Sequence, residues 1–290
     1  MRKILLSTTL LVLMVPATAQ NWATSLKSTD VVPGMFMLEG ADGFGGGNMT
    51  MLVGEKVFLI DDGIPPTGSL LMEFAEKEAG RSIDFVINTH VHGDHVGGNS
   101  ALAEDGALLI AHDNIRKRLL DDPSSSGGPG GFPTVTFSDA VTFHVNGHEA
   151  FVFHVVAAHT DGDAVIHFRD INVIHAGDVH FNYLFPFIDI DNGGSVAGYL
   201  AAQRLVVELS DDETIIIPGH GPLAKKSDLQ TAFDMLVDSE ARVKKLVDAG
   251  MSLEEVLAEN PLANYHEQWN WSFITTEIMT STLYRSLTDG

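Results

Sequence analysis

The stretch Thr89-His90-Val91-His92-Gly93-Asp94-His95 decides how this chain is read. Four of its seven side chains are types that bind metals, packed as His-x-His-x-Asp-His. Before it, Ile83 to Asn88 has the apolar character of a buried strand. After it, His95 to Leu102 predicts the opening turns of a helix. The cluster therefore sits at the C-terminal end of a strand, where open α/β folds place their chemistry. In extended backbone, residues i and i+2 project to the same side, so His90 and His92 can grip one ion together. Past the turn, Asp94 and His95 face a second position. One short loop thus serves two adjacent ions. Imidazoles with a carboxylate suit a borderline cation such as Zn²⁺.

With these residues on the page, the stretch resembles the signature of the metallo-β-lactamase-fold hydrolases. The remaining family motifs are found in order. Lys56 to Gly63 is a strand ending in acids, and the resemblance gives Asp61 the role of orienting the metal loop from behind its ligands. Ala158-His159-Thr160-Asp161-Gly162-Asp163 resembles the family's His-Thr-x-Gly-Asp, making His159 the third ligand of the first ion beside His90 and His92. His175-Ala176-Gly177-Asp178 ends in the Gly-Asp whose carboxylate bridges both ions. Pro218-Gly219-His220-Gly221-Pro222 supplies His220, which completes the second ion with Asp94 and His95. The other histidines, His175 and His180 among them, fit no ligand motif and are expected to be structural.

The resemblance implies an α/β fold, an αβ/βα four-layer sandwich of two mixed β-sheets face to face with helices outside. It implies two Zn²⁺ per chain, with Fe or Mn as alternatives. A hydroxide bridging the ions would open an amide or ester bond in a β-lactamase-like reaction, with Asp94, Asp178 and Tyr183 as catalytic residues. Asp178 stands where one group of true lactamases carries Cys, and an Asp there resembles the lactonase, thioesterase and phosphodiesterase branches. An iron-dependent oxidoreductase on the same fold is a further alternative, although His92 stands where the diiron flavoprotein relatives carry Glu. The run Phe181-Asn182-Tyr183-Leu184-Phe185-Pro186-Phe187 is a candidate wall for an apolar pocket. No Lys lies between Gly177 and Phe187 to hold a substrate carboxylate; Lys225 and Lys226 are the nearest beyond His220.

Composition bounds the rest. A chain of 290 residues, 44% hydrophobic and 19% charged, builds a substantial core and is not a disordered polymer. Arg2-Lys3, the apolar Ile4 to Val15 and Ala17-Thr18-Ala19 form the basic, apolar and small-residue regions of an export signal. Residues 1–19 are expected to be removed, leaving 20–290 as one domain in the periplasm or outside the cell, with no stable membrane span. The 15 basic and 39 acidic residues that remain give a net charge of −24. Such a surface repels nucleic acid phosphates, so the expected partner is a small-molecule substrate. The absence of Cys removes disulfides and thiolate ligands alike.

Five glycines between Glu39 and Gly47 predict a mobile hairpin loop, and the resemblance implies that it acts as a flap over the metals with Phe44 at its tip. Asp121 to Thr134, rich in Ser, Gly and Pro, predicts a surface loop at the boundary between two halves. Helices are expected at Gly68 to Ala79, His112 to Leu120, Ser195 to Leu209, within Ala224 to Ala249, at Ser252 to Glu259 and at Ser272 to Ser286.

Overall fold

The computed structural model describes residues 21–288; the segment 1–19, expected from its sequence to direct export, lies outside the described residues. Twelve strands form two sheets among them. The first sheet contains β1 (Ser25–Val32), β2 (Met35–Ala41), β3 (Met49–Val53), β4 (Val57–Ile60), β5 (Phe85–Ile87), β6 (Leu108–His112) and β7 (Val135–Phe137), in chain order. β1 to β4 pair antiparallel, and β4 to β7 pair parallel through helical crossovers. The second contains β8 (Ala140–Val145), β9 (His148–His154), β10 (Ala164–Phe168), β11 (Val173–Phe181) and β12 (Ile215–His220). There β8 to β11 run antiparallel, and β12 lies parallel beside β11.

Burial explains the layering. One core takes Met35, Phe58, Ile60 and Ile110 from the first sheet and Val152, Ile166, Phe168 and Ile217 from the second, so the two inner faces pack on each other. The outer face of the first sheet is covered by helices Thr67–Ala79 and Asn99–Glu104 through Leu71, Ala75 and Leu102. That of the second is covered by helices Val196–Leu209 and Lys226–Asp248 through Ala202, Val206 and Leu229. This is the four-layer αβ/βα sandwich. Phe58 is fully buried and sits edge-on to Phe143 and Phe168 of the opposing sheet. Its truncation to Ala would cost about 3–5 kcal/mol.

The boundary between the halves falls at Ser138 and Asp139, between β7 and β8. The 121–134 stretch ends just before it and contains two short 3₁₀ turns rather than open loop. Ser126 is buried, and the Gly131 carbonyl accepts from Asn99 Nδ2 at 3.0 Å, so the stretch packs against the helix Asn99–Glu104 that follows the histidine-rich loop. β11 runs through Gly177 to Phe181, because a register shift at Gly177 absorbs the break and β12 keeps pairing beyond it. The last helix is Thr276–Thr288; it starts four residues late because Trp271 to Phe273 serve another purpose, described next.

Candidate metal centre

β5 ends at Ile87, and the chain turns through His90 and His92 into the short helix Gly93–Val96. The strand ends of both sheets meet at this edge. Two ligand groups result: His90, His92, His159 and Asp178, and beside them Asp94, His95 and His220. Within each group the ligand atoms lie inside 4.8 Å of one another. All seven sequence-expected ligands are brought together.

The imidazoles are oriented by their far nitrogens. His95 Nδ1 donates to Asp61 Oδ2 at 2.8 Å, His92 Nε2 to Asp189 Oδ2 at 2.8 Å, and His159 Nδ1 to the Phe187 carbonyl at 2.7 Å. Thr89 gives its hydroxyl proton to Asp61 at 2.7 Å, and must therefore accept from His90 Nδ1 at 3.0 Å. Each bond fixes a tautomer and leaves the other nitrogen with a free lone pair aimed inward. Asp61 also accepts from the Thr89 N–H at 2.7 Å, so one carboxylate holds the loop's backbone and two of its ligands. It does so at φ +56°, a left-handed conformation that Asp tolerates better than most residues.

Asp178 stands between the groups. Its Oδ2 lies 3.4 Å from His159 Nε2 and 3.6 Å from both His90 Nε2 and His220 Nε2, and its Oδ1 lies 3.2 Å from His95 Nε2. Tetrahedral ligands about 2.1 Å from a zinc ion sit about 3.4 Å apart, so these spacings are those of ligand edges. His90 Nε2 and Asp178 Oδ1 are buried without a hydrogen-bond partner. Buried polar atoms rarely go unpaired, and a bound cation would satisfy both. The residues present fit two divalent ions.

The electrostatics agree. Burial would raise Asp178, yet the surrounding imidazoles, His95 foremost, hold it well below the usual carboxylate range. Burial would likewise raise Asp94, but His95 and His220 bring it down to about 2. Burial would lower His220, but the Asp178 and Asp94 carboxylates push it up to about 9, and His95 also rises. His159 and His90 fall, His159 to about 4, chiefly through burial. The acids thus demand positive charge in the cluster. Bound dications would supply it and would displace the protons on His95 and His220.

Glycine permits the close approach. A Cβ on Gly219 would lie 1.9 Å from Asp178 Oδ1, and one on Gly47 would lie 2.2 Å from the His95 ring. The loop expected to be a mobile flap is therefore seamed to the centre along its second half. The Gly47 N–H donates to the Asp94 carbonyl at 2.9 Å, and the Asn48 N–H to the Gly219 carbonyl at 2.7 Å. Phe44, 44% exposed, is held at the cavity mouth by backbone bonds to Asn21 and Ala23.

Above the centre opens a cavity of about 630 Å³, walled by Trp22, Phe44, Phe181, Phe187, Trp271 and Phe273, with His92, Asp94, Asp178 and His220 at its floor. Of the aromatic run, Phe181 and Phe187 face the cavity. Tyr183 does not. Its hydroxyl donates to Asp228 at 2.8 Å, because φ +61° turns the residue outward at the end of β11. That placement keeps Tyr183 away from the catalytic role expected of it.

Sequence reading missed Asp189, which the alternation Phe187-Ile188-Asp189-Ile190-Asp191 marks as an acid among apolar residues. It also treated His175 as merely structural. His175 is hydrogen-bonded to Thr50 Oγ1 at 2.9 Å, and its Nε2 lies 3.7 Å from Asp61 Oδ2, so it helps hold Asp61 ionised. His180 is buried with neither ring nitrogen partnered, and burial drives it down to about 3.

The family model of the metallo-beta-lactamase superfamily matches residues 42–220. The chain belongs to this superfamily. A hydroxyacylglutathione hydrolase of a Polaromonas species is 29% identical over 143 residues, 49% of each chain. A metal-dependent hydrolase of Brucella anthropi is 30% identical over 154 residues, 44% of this chain and 64% of the relative. The chain thus spans less than two thirds of the length of either curated relative. Among solved structures, a metallo-beta-lactamase from Pontibacter korlensis superposes with TM-score 0.64 at 18% identity, covering 74% of this chain and all of that one. The DIM-1 metallo-beta-lactamase gives 0.63 at 16% identity, covering 73% and 97%. At these identities the likeness concerns the fold.

Proposed function

We propose that this superfamily member is a dinuclear zinc hydrolase that opens an amide or ester bond, with Asp94 and Asp178 as its working carboxylates. The observation that carries the reading is the pair of ligand groups with Asp178 between them, at the floor of an open cavity. Two ions, when bound, would supply Lewis acidity toward a carbonyl oxygen and a water whose pKa is lowered to about 7.

The chain's own residues do the rest. Asp178 is buried and shared, so it fixes the separation of the two groups. Asp94 is the more exposed of the two carboxylates, its side chain 27% accessible, and lines the cavity. It is placed to pass a proton through water to the leaving group. His220 borders the same space, stacked on Phe181 at 5.0 Å. No nucleophilic side chain is called for, and among the described residues Ser272 is the one hydroxyl on the cavity wall.

Asp178 in place of a thiolate supports general ester or lactone hydrolysis alongside lactam opening. Arg2-Lys3, the apolar Ile4 to Val15 and Ala17-Thr18-Ala19 support export to the periplasm or beyond. Among the described residues no helix is long and apolar enough to cross a membrane. The reading is tested by loading the chain with zinc and assaying a chromogenic cephalosporin beside an acyl-lactone. Zinc-dependent hydrolysis of either is expected; failure to turn over both would overturn it.

A further inference from the structure

We propose that the cavity selects neutral substrates with an apolar acyl or alkyl arm, and rejects substrates carrying a distal carboxylate. The inference rests on the hydrolase reading and names its substrate class. Its first ground is the wall. Six aromatic rings line the cavity, and no Lys or Arg is among its described lining residues. A pocket that fixes a substrate carboxylate needs a cation or a cluster of N–H donors, and this wall offers neither. In the neighbouring cleft, which shares Phe187, Arg285 is ion-paired with Asp191. Lys225 and Lys226, the nearest lysines along the chain, are absent from the cavity wall. Lys226 Nζ bonds the Ser210 carbonyl at 2.8 Å.

The second ground is how the wall is built. Trp271 and Phe273 lie outside residues 42–220, on the segment between two C-terminal helices. That segment is pinned over the site: Trp271 Nε1 donates to the Phe185 carbonyl at 2.9 Å, and the Phe185 N–H to the Trp269 carbonyl at 2.8 Å. Trp271 then stands 6.1 Å from the His220 ring and 6.2 Å from Phe181, and Phe273 sits edge-on to Phe187 at 5.4 Å. Across the mouth, Trp22 and Phe44 are joined by a β-bridge. Phe44 and Phe273 stay 44% and 55% exposed, apolar surface that a substrate arm would cover. The third ground is charge. The sequence as a whole carries a net charge of −22, which disfavours approach of anions.

The test is binding first, then turnover. The zinc-loaded full chain is titrated with octanamide and with suberic acid monoamide, the same chain length ending in a carboxylate, and followed by tryptophan fluorescence and calorimetry. Octanamide is expected to bind at least tenfold more tightly. Phe44→Ala and Phe273→Ala, both at exposed positions that a folded chain tolerates, are each expected to weaken octanamide by about tenfold at unchanged zinc content. Equal binding of the two amides, or variants that bind as the parent does, would overturn the proposal. Binding as expected without hydrolysis of 4-nitrophenyl octanoate sinks the hydrolase reading and sustains the pocket assignment. Hydrolysis with no preference for octanoate over its ω-carboxylate analogue does the reverse.

Discussion

Adding one methyl group at Gly47 tests how tightly the second ligand group is built. A Cβ there would lie 2.2 Å from His95 Cε1, 2.4 Å from His95 Nε2 and 3.0 Å from the Gly219 carbonyl. Ordinary contact between such atoms is about 3.5 Å, so about 1 Å must be found. The His95 ring cannot supply it by turning. It is fully buried, bonded to Asp61 at 2.8 Å, and packed 4.2 Å from the His90 ring. The backbone cannot easily retreat either, being tied to Asp94 and Gly219 on both sides. Overpacking of this kind costs about 1–3 kcal/mol. A 1 Å misplacement of a reacting group costs about 100-fold in rate. Gly47→Ala is therefore expected to lose about 1–3 kcal/mol in denaturant unfolding. In a competition titration it should bind its second zinc at least tenfold more weakly, and turnover should fall about 100-fold. Gly68→Ala is the control, since its Cβ would meet neighbours at 3.4 Å within a helix. It should keep both ions. A Gly47→Ala protein with parental zinc affinity and rate would refute the reasoning.

Asp189→Ala removes the acceptor on His92 Nε2 and should weaken zinc in the first group by about 10–100-fold, read by the same titration. Tyr183→Phe breaks only the bond to Asp228, which is solvent-facing, and should leave turnover within about twofold and stability within about 1 kcal/mol. His180→Leu tests a pH effect. Burial lowers His180 to about 3, so as pH falls below about 6.5 the unfolded chain takes up a proton that the folded chain refuses. That group costs the fold stability progressively between pH 6.5 and 3, by roughly 5 kcal/mol in full. Urea midpoints of the Leu variant should fall less steeply over that window; an unchanged acid limb would count against a neutral, buried His180.

The ligands were legible because metal chemistry restricts residue type and strand ends restrict position. His90, His92, Asp94 and His95 declare themselves within six residues; of the later ligands His159 follows β9, Asp178 lies within β11 and His220 ends β12. What supports them was harder to see. Asp189 reaches His92 across 97 positions, and His175 reaches Thr50 across 125, through the packing of loops and of one sheet on the other, which no local pattern encodes. The Gly40 to Gly47 loop shows a related limit. Composition cannot distinguish glycines that permit motion from glycines that permit contact, and here Gly47 serves contact with His95. Tyr183 was misplaced because alternation along β11 gives no warning of a left-handed residue just past its end. β1 and β7 escaped notice as short or half-polar edge strands, where exposure erases the apolar pattern.

The most direct test of the two-ion centre is elemental analysis of the zinc-dialysed protein beside its Asp178→Ala variant. About two zinc per chain are expected in the parent, and one or fewer in the variant with most turnover lost. A variant that retains two zinc, or full activity with one, would contradict the shared role assigned to Asp178.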